Sequence, residues 1–206
     1  MYNLTTSRFN AETWNERERW MEKNNWKGAI YGSPVPIKET LKGTMFVLEM
    51  RNDENKIRAI GLVKVQPFPA DKDHQVYYDR NINRYIYRSN YRLILDQIEL
   101  LPMEKKIITI FNRLLFKGAC HLKRGQGITA MPTWIMQNKQ IDFLKHIKGL
   151  FMRHYRPLAD ACAADACAAD ACAVTADACA VTADACACAA SLAGAADPSS
   201  ATASAC

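Results

Sequence analysis

Two β-rich runs, TMFVLEM at residues 44–50 and IRAIGLVKV at 57–65, are separated only by the polar stretch RNDENK at 51–56. β-branched and aliphatic side chains suit a pleated, half-buried surface, and Asn and Asp accept the backbone of a tight turn. The pattern predicts an antiparallel hairpin, the clearest local structure in the chain.

The flanking segments predict helices and further strands. NAETWNERERWMEKNNW at 10–26 reads as a surface helix with Asn10 as its cap, the capping-box spacing Thr13 to Glu16, and dense Glu/Arg pairs. GAIYGSP at 28–34 reads as a short strand stopped by Ser33-Pro34, and NRYIYRSNYRLILDQIEL at 83–100 holds strand material around Ser89-Asn90. EKKIITIFNRLLF at 104–116 is amphipathic, with Ile107, Ile110, Phe111 and Leu114 on one side and Gly118 as its stop. TWIMQNKQIDFLKHIKGLFMRHY at 133–155 predicts one basic helix whose core-facing set is Ile141, Leu144, Ile147 and Phe151. Strands grouped with helices, without regular β-α alternation, indicate an α+β domain or a small barrel.

The charge divides the chain. Among its 206 residues are 27 Lys+Arg and 21 Asp+Glu, but six of the Asp (160, 165, 170, 177, 184 and 197) lie beyond residue 158, where there is no Lys or Arg. The body, 1–158, therefore carries 27 − 15 = +12, which favours a polyanionic partner such as nucleic acid. The tail, 159–206, is a degenerate repeat of DACAA and then DACAVTA holding Cys162, Cys167, Cys172, Cys179, Cys186, Cys188 and Cys206. The change of step from five to seven keeps no single cysteine face, and large side chains are too few for a core, so a flexible low-complexity appendage is expected. Its cysteines are expected to offer contacts to neighbouring proteins. The body's lone Cys120 reads as a buried thiol of a reducing compartment. No apolar run approaches the length of a membrane span, and the N-terminus lacks a signal peptide's hydrophobic core, so an intracellular site is expected.

ACHLKRGQGITAMP at 119–132 fits G-x-G-x-x-A through Gly125, Gly127 and Ala130. A dinucleotide fingerprint needs a buried strand before the glycines and a long helix after them; here HLKR precedes and Pro132 follows. The run reads instead as a tight turn whose exposed amides, with Lys123, Arg124 and His121, suit phosphate. No catalytic set stands out, because His74, His121, His146 and His154 lie far apart, and Glu49, Asp53 and Glu54 belong to the hairpin turn or its edge. No cofactor and no metal site are expected.

The Tyr/Arg stretch at 77–92 carries the strongest hint of function. On a continuous strand Tyr85 and Tyr87 would share one face and Arg84 and Arg88 the other. Aromatic faces stack on unpaired bases and guanidinium groups hold phosphates, so the mixture suits single-stranded RNA or DNA.

Three segments carry a resemblance. W..KG.IYGSP..I at Trp26 to Ile37, KGTMFVLEM at 42–50 and NKIRAIGLVKV at 55–65 resemble the PUA-like superfamily, especially its EVE and YTH domains. The chain also resembles small uncharacterised proteins of large nucleocytoplasmic DNA viruses, which carry segments similar to IYGSP and HLKRGQGIT. The resemblance implies a small mixed β-barrel with flanking helices and a pocket for one base, often a modified one. It places Trp26, Tyr31 and Ser33 at that pocket. It also implies the cytoplasm or nucleus of an infected cell, or the virion, as the setting. The expected function is a nucleic-acid-binding module; a virion or scaffold component docking on acidic protein surfaces is the second reading.

Overall fold

A computed structural model describes residues 2–38, 41–67 and 75–164. His74 and the tail beyond residue 164, with the cysteine contacts expected of it, lie outside the described residues. The chain divides into one unit at Met1–His154 and another at Tyr155–Cys206. Of the second, the helical backbone as far as Ala164 is described.

The first unit is built on a five-stranded sheet. β1 (Tyr2–Phe9), β3 (Thr44–Arg51), β4 (Lys56–Lys64), β6 (Arg92–Ile94) and β7 (Ile128–Ala130) lie in the order β6-β4-β3-β1-β7. β3 and β4 form the expected hairpin, with Asn55 at φ 54° completing the turn. Its register shifts between Glu49 and Met50, where Glu49 pairs with Ala59 and Met50 with Ile57. β1 runs parallel to β3, pairing Ser7 with Glu49 and Leu4 with Phe46, and takes a central place in the sheet. Its buried side chains include Thr5, Thr6 and Ser7, and Thr5 Oγ1 donates to the Phe46 carbonyl, so polarity here does not signal exposure.

β2 (Ala29–Ser33) and β5 (Tyr85–Ser89) pair antiparallel as a separate ribbon. The chain bends after β5 at Ser89, whose hydroxyl donates to the Leu62 carbonyl, and β6 then joins β4 in the larger sheet. The pairings among the described residues leave β6 and β7 as edges. The fold is mixed α+β, and among the described residues the strands form a five-stranded sheet and a two-stranded ribbon without closing into a barrel.

Each sheet face has its own cover. On one side Phe9, Met45, Val47 and Val63 pack with Ile30, Tyr31, Ile86 and Tyr87 of the ribbon and with Met21 of α1 (Ala11–Lys23). On the other, Phe46 meets Phe151 of α4 (Phe143–Ala164) at 5.4 Å between ring centres, and Phe111 of α2 (Pro102–Phe116) meets Phe143 at 4.8 Å. Alternation along each strand sends successive side chains to opposite covers, so nearly all of β3 is buried.

Several helix expectations need correction. Asn10 does cap α1, but the box closes between Asn10 and Thr13: Thr13 N–H donates to Asn10 Oδ1 at 2.9 Å and Asn10 N–H to Thr13 Oγ1 at 3.1 Å. Glu16 is thereby left for another task, accepting the Tyr78 N–H at 3.2 Å. Nor is α1 simply a surface helix, since Glu16, Arg17 and Met21 are buried. The last predicted helix is two, α3 (Thr133–Met136) and α4. Asn138 Oδ1 accepts the N–H groups of Gln140 and Ile141, and Asp142 Oδ1 accepts that of Lys145, a side-chain competition that ends one helix and starts the next. Ile147 and Phe151 are buried as expected, whereas Ile141 and Leu144 are half-buried. In α2, Ile107 and Phe111 are buried, with Ile110 and Leu114 at the margin. Cys120 is exposed rather than buried.

Candidate functional site

Glu49 anchors the interior beneath the ribbon. It is not a turn residue: its side chain is fully buried and held from three elements. Arg92 donates to it through Nε at 3.0 Å and Nη2 at 2.9 Å, Arg17 Nη2 lies 2.9 Å away, and the Tyr31 hydroxyl donates at 2.9 Å. Glu18 Oε1 completes the cluster, 3.0 Å from Arg17 and 2.8 Å from Arg92. Burial alone would raise the Glu49 carboxyl, but the two guanidinium groups outweigh it and bring the pKa down from 4.5 to about 2. Burial and the adjacent Glu49 charge drive the Tyr31 phenol far upward, so it stays a hydrogen-bond donor. Arg17 Nε and Nη1 have no hydrogen-bond partner among the described residues, yet the guanidinium lies 4.1 Å from the Phe9 ring centre and 4.3 Å from that of Trp14, where electron-rich faces favour a cation. Gly61 leaves the space that the Tyr31 phenol occupies; a methyl group there would overlap the hydroxyl.

These contacts relocate part of the expected nucleotide site. Tyr31 is fully buried against Glu49, and Tyr87 is fully buried with its hydroxyl accepting the Ile37 N–H at 3.1 Å. Neither presents a ring for stacking. Tyr85 does share the Tyr87 face, but it is half-buried against the ribbon core. Ser33 is buried and its hydroxyl donates to the Val35 carbonyl. Arg84 belongs to the 3₁₀ turn Ile82–Arg84 ahead of β5, so it does not share a strand face with Arg88, whose guanidinium lies 5.5 Å from the Trp26 ring centre.

Two clefts bear on these residues. The first, about 660 Å³, is bounded by Trp26, Met21, Glu22, Arg92, Leu93 and Gln97. The second, about 490 Å³, lies where four segments converge: the end of β1 with Asn10 and Thr13 of the α1 cap, Gly32 and Pro34 around the end of β2, the loop Tyr77–Ile82, and Gln126-Gly127 of the glycine run. Trp26 therefore stands at a different cleft from the one bordered by the IYGSP and HLKRGQGIT segments.

The surface of the second cleft is part polar and part apolar, and hydrogen bonds hold two of its walls. Asn83 stitches the Tyr77–Ile82 loop: its Oδ1 accepts the N–H groups of Val76 and Tyr77, both at 3.0 Å, and its Nδ2 donates to the carbonyls of Tyr77 and Asp79 at 2.6 and 3.1 Å. Glu16 fastens the same loop to α1 through Tyr78 N–H. Within it, Asn81 N–H donates to Asp79 Oδ1 at 2.9 Å. Tyr77 lines the back, its phenol pushed up to about 12 chiefly by burial, and is neutral. Opposite, the glycine run is clamped to the sheet end because the Lys123 carbonyl accepts from Arg8 Nη1 and Asn52 Nδ2, each at 3.2 Å. Gly127, at φ 62°, packs its Cα against Ser33 so closely that any Cβ would overlap the Ser33 hydroxyl. The glycines thus close a wall of the cleft.

Of the expected phosphate ligands, Arg84 and Arg124 are exposed, while Lys123 is half-buried with its ammonium 5.9 Å from the Phe116 ring centre. His121 is half-buried, and its Nδ1 has no hydrogen-bond partner among the described residues. Reading the sequence missed Arg8, Asn10, Asp79, Asn81 and Gln126. An Asx-rich loop, DRNINR at 79–84, was the available signal.

Among the described residues no helix is long and apolar enough to cross a membrane, and no group of three His, Cys, Asp or Glu could hold a metal ion. Comparison with known protein families, curated proteins and solved structures finds no match to this chain.

Proposed function

We propose that the chain is a nucleic-acid-binding module that takes one unpaired nucleotide of RNA or single-stranded DNA into the cleft between Gly32, Asp79, Gln126 and Gly127. The observation that carries this reading is the convergence of the side chains of Asn81, Gln126 and Asp79 on a cleft that Arg8 also lines. A flipped or single-stranded base is read by hydrogen bonds to its edge, which the side chains of Asn81, Gln126 and Asp79 are suited to make. Arg8, itself at the cleft, and Lys123 and Arg124 of the clamped run then serve the flanking phosphates. Tyr78, 73% exposed and next to Asp79 in the chain, offers an aromatic face for a neighbouring base. The body's charge of +12 agrees in sign with such a partner. A PUA-like fold, in the EVE and YTH manner, is the family reading that accompanies this proposal, and a modified base is its natural extension.

The test is a salt titration of a fluorescent single-stranded pentanucleotide. Affinity should fall as salt rises, and K123A/R124A should flatten the log–log slope by about 1.4 if both side chains neutralise a phosphate. Binding that ignores salt, or no binding to RNA or DNA, would overturn the reading.

A further inference from the structure

Resting on that reading, we infer that the cleft selects guanine and that Asp79 is the residue that does so. Asp79 is the one carboxylate among the side chains lining the cleft. Its Oδ1 is oriented by Asn81 N–H, its own carbonyl is held by Asn83 Nδ2, and Oδ2 makes no ion pair or hydrogen bond among the described residues. A carboxylate only accepts hydrogen bonds. Guanine alone of the four common bases presents two adjacent donors, N1–H and the N2 amino group, on its Watson–Crick edge. Adenine and cytosine each place a ring-nitrogen acceptor beside the amino group, and uracil flanks N3–H with two carbonyls. Each of those edges would set a lone pair against Asp79. The side-chain amides of Asn81 and Gln126 can donate as well as accept, so they are free to serve the guanine O6 edge. The adjacent Tyr77 phenol is neutral and adds no charge against the base.

The experiment uses the full chain and pentanucleotides UUXUU, with X as guanine, inosine, adenine, cytosine or uracil. Inosine keeps N1–H and O6 but lacks the N2 amino group, so it isolates one of the two donors. Guanine should bind at least about fivefold more tightly than inosine or any other base, the lower end of what a bidentate base contact discriminates. Asp79→Asn should remove that preference by weakening the guanine oligonucleotide toward the affinity of the others. Equal affinity for all five oligonucleotides overturns the inference and leaves the nucleotide-binding reading standing. Preference for another base overturns it too, and absence of binding to every oligonucleotide overturns both. The comparison of guanine with inosine uses unaltered protein, so the two-donor recognition stays open to refutation even if Asp79→Asn fails to fold.

Discussion

Glu49 shows how much one buried carboxylate can hold. It joins α1, β2, β3 and β6 through Arg17, Tyr31 and Arg92, and removing its charge leaves two guanidinium groups in the interior without their buried counter-charge. Breaking a buried pair in this way costs about 3–5 kcal/mol. E49Q should lower stability by that order, measured by urea denaturation at neutral pH. The acid side follows from the same group. Its folded pKa of about 2 lies below the ordinary 4.5, so the native state's advantage is fully present above 4.5 and is lost as pH falls from there toward 2. The urea midpoint of the unaltered protein should fall through that window, and E49Q should lack this component. An identical acid profile in both proteins would remove Glu49 from the account. The sequence offered Glu49 only as a carboxylate near a turn, because its partners stand 18 to 43 residues away and spacing along the chain is silent about them.

Elements were readable where the signal was local and lost where it was not. The hairpin announced itself by its turn and its aliphatic runs, and α1 by its cap. β1 did not, because Thr5, Thr6 and Ser7 owe their burial to the parallel pairing with β3 and to the covers on both faces. The break between α3 and α4 was hidden because Asn138 and Asp142 can sit on a helix surface as readily as they can end one. The Tyr77–Ile82 loop is the element on which the candidate site depends, and Asn83 is its clasp. N83A should strip partners from the N–H groups of Val76 and Tyr77 and cost about 1–3 kcal/mol. Native-state hydrogen exchange should then show faster exchange at Val76 and Tyr77 while the β3–β4 hairpin keeps its protection. Unchanged protection in the loop would mean that its shape does not rest on Asn83.

For the molecule as a whole, two sequence features drew together in space and two drew apart. IYGSP and HLKRGQGIT, remote in sequence, meet through Ser33 and Gly127. Trp26 and the Tyr85–Tyr87 pair, which composition made attractive, went to another cleft and to the core. Composition registers that aromatic and basic residues are present; only the sheet pairing decides which of them reach solvent. The body's positive charge was readable from the outset, whereas the groups that would recognise a base come from short polar loops that no periodicity marks. The most direct measurement is an amide-resolved NMR titration of the full chain with a guanine-containing single-stranded pentanucleotide. The account predicts shifts concentrated at Gly32, Asn81, Gln126 and Gly127, with those around Trp26 and Gln97 still. Binding that leaves the first set unmoved, or that gathers at Trp26 and Gln97, would contradict it.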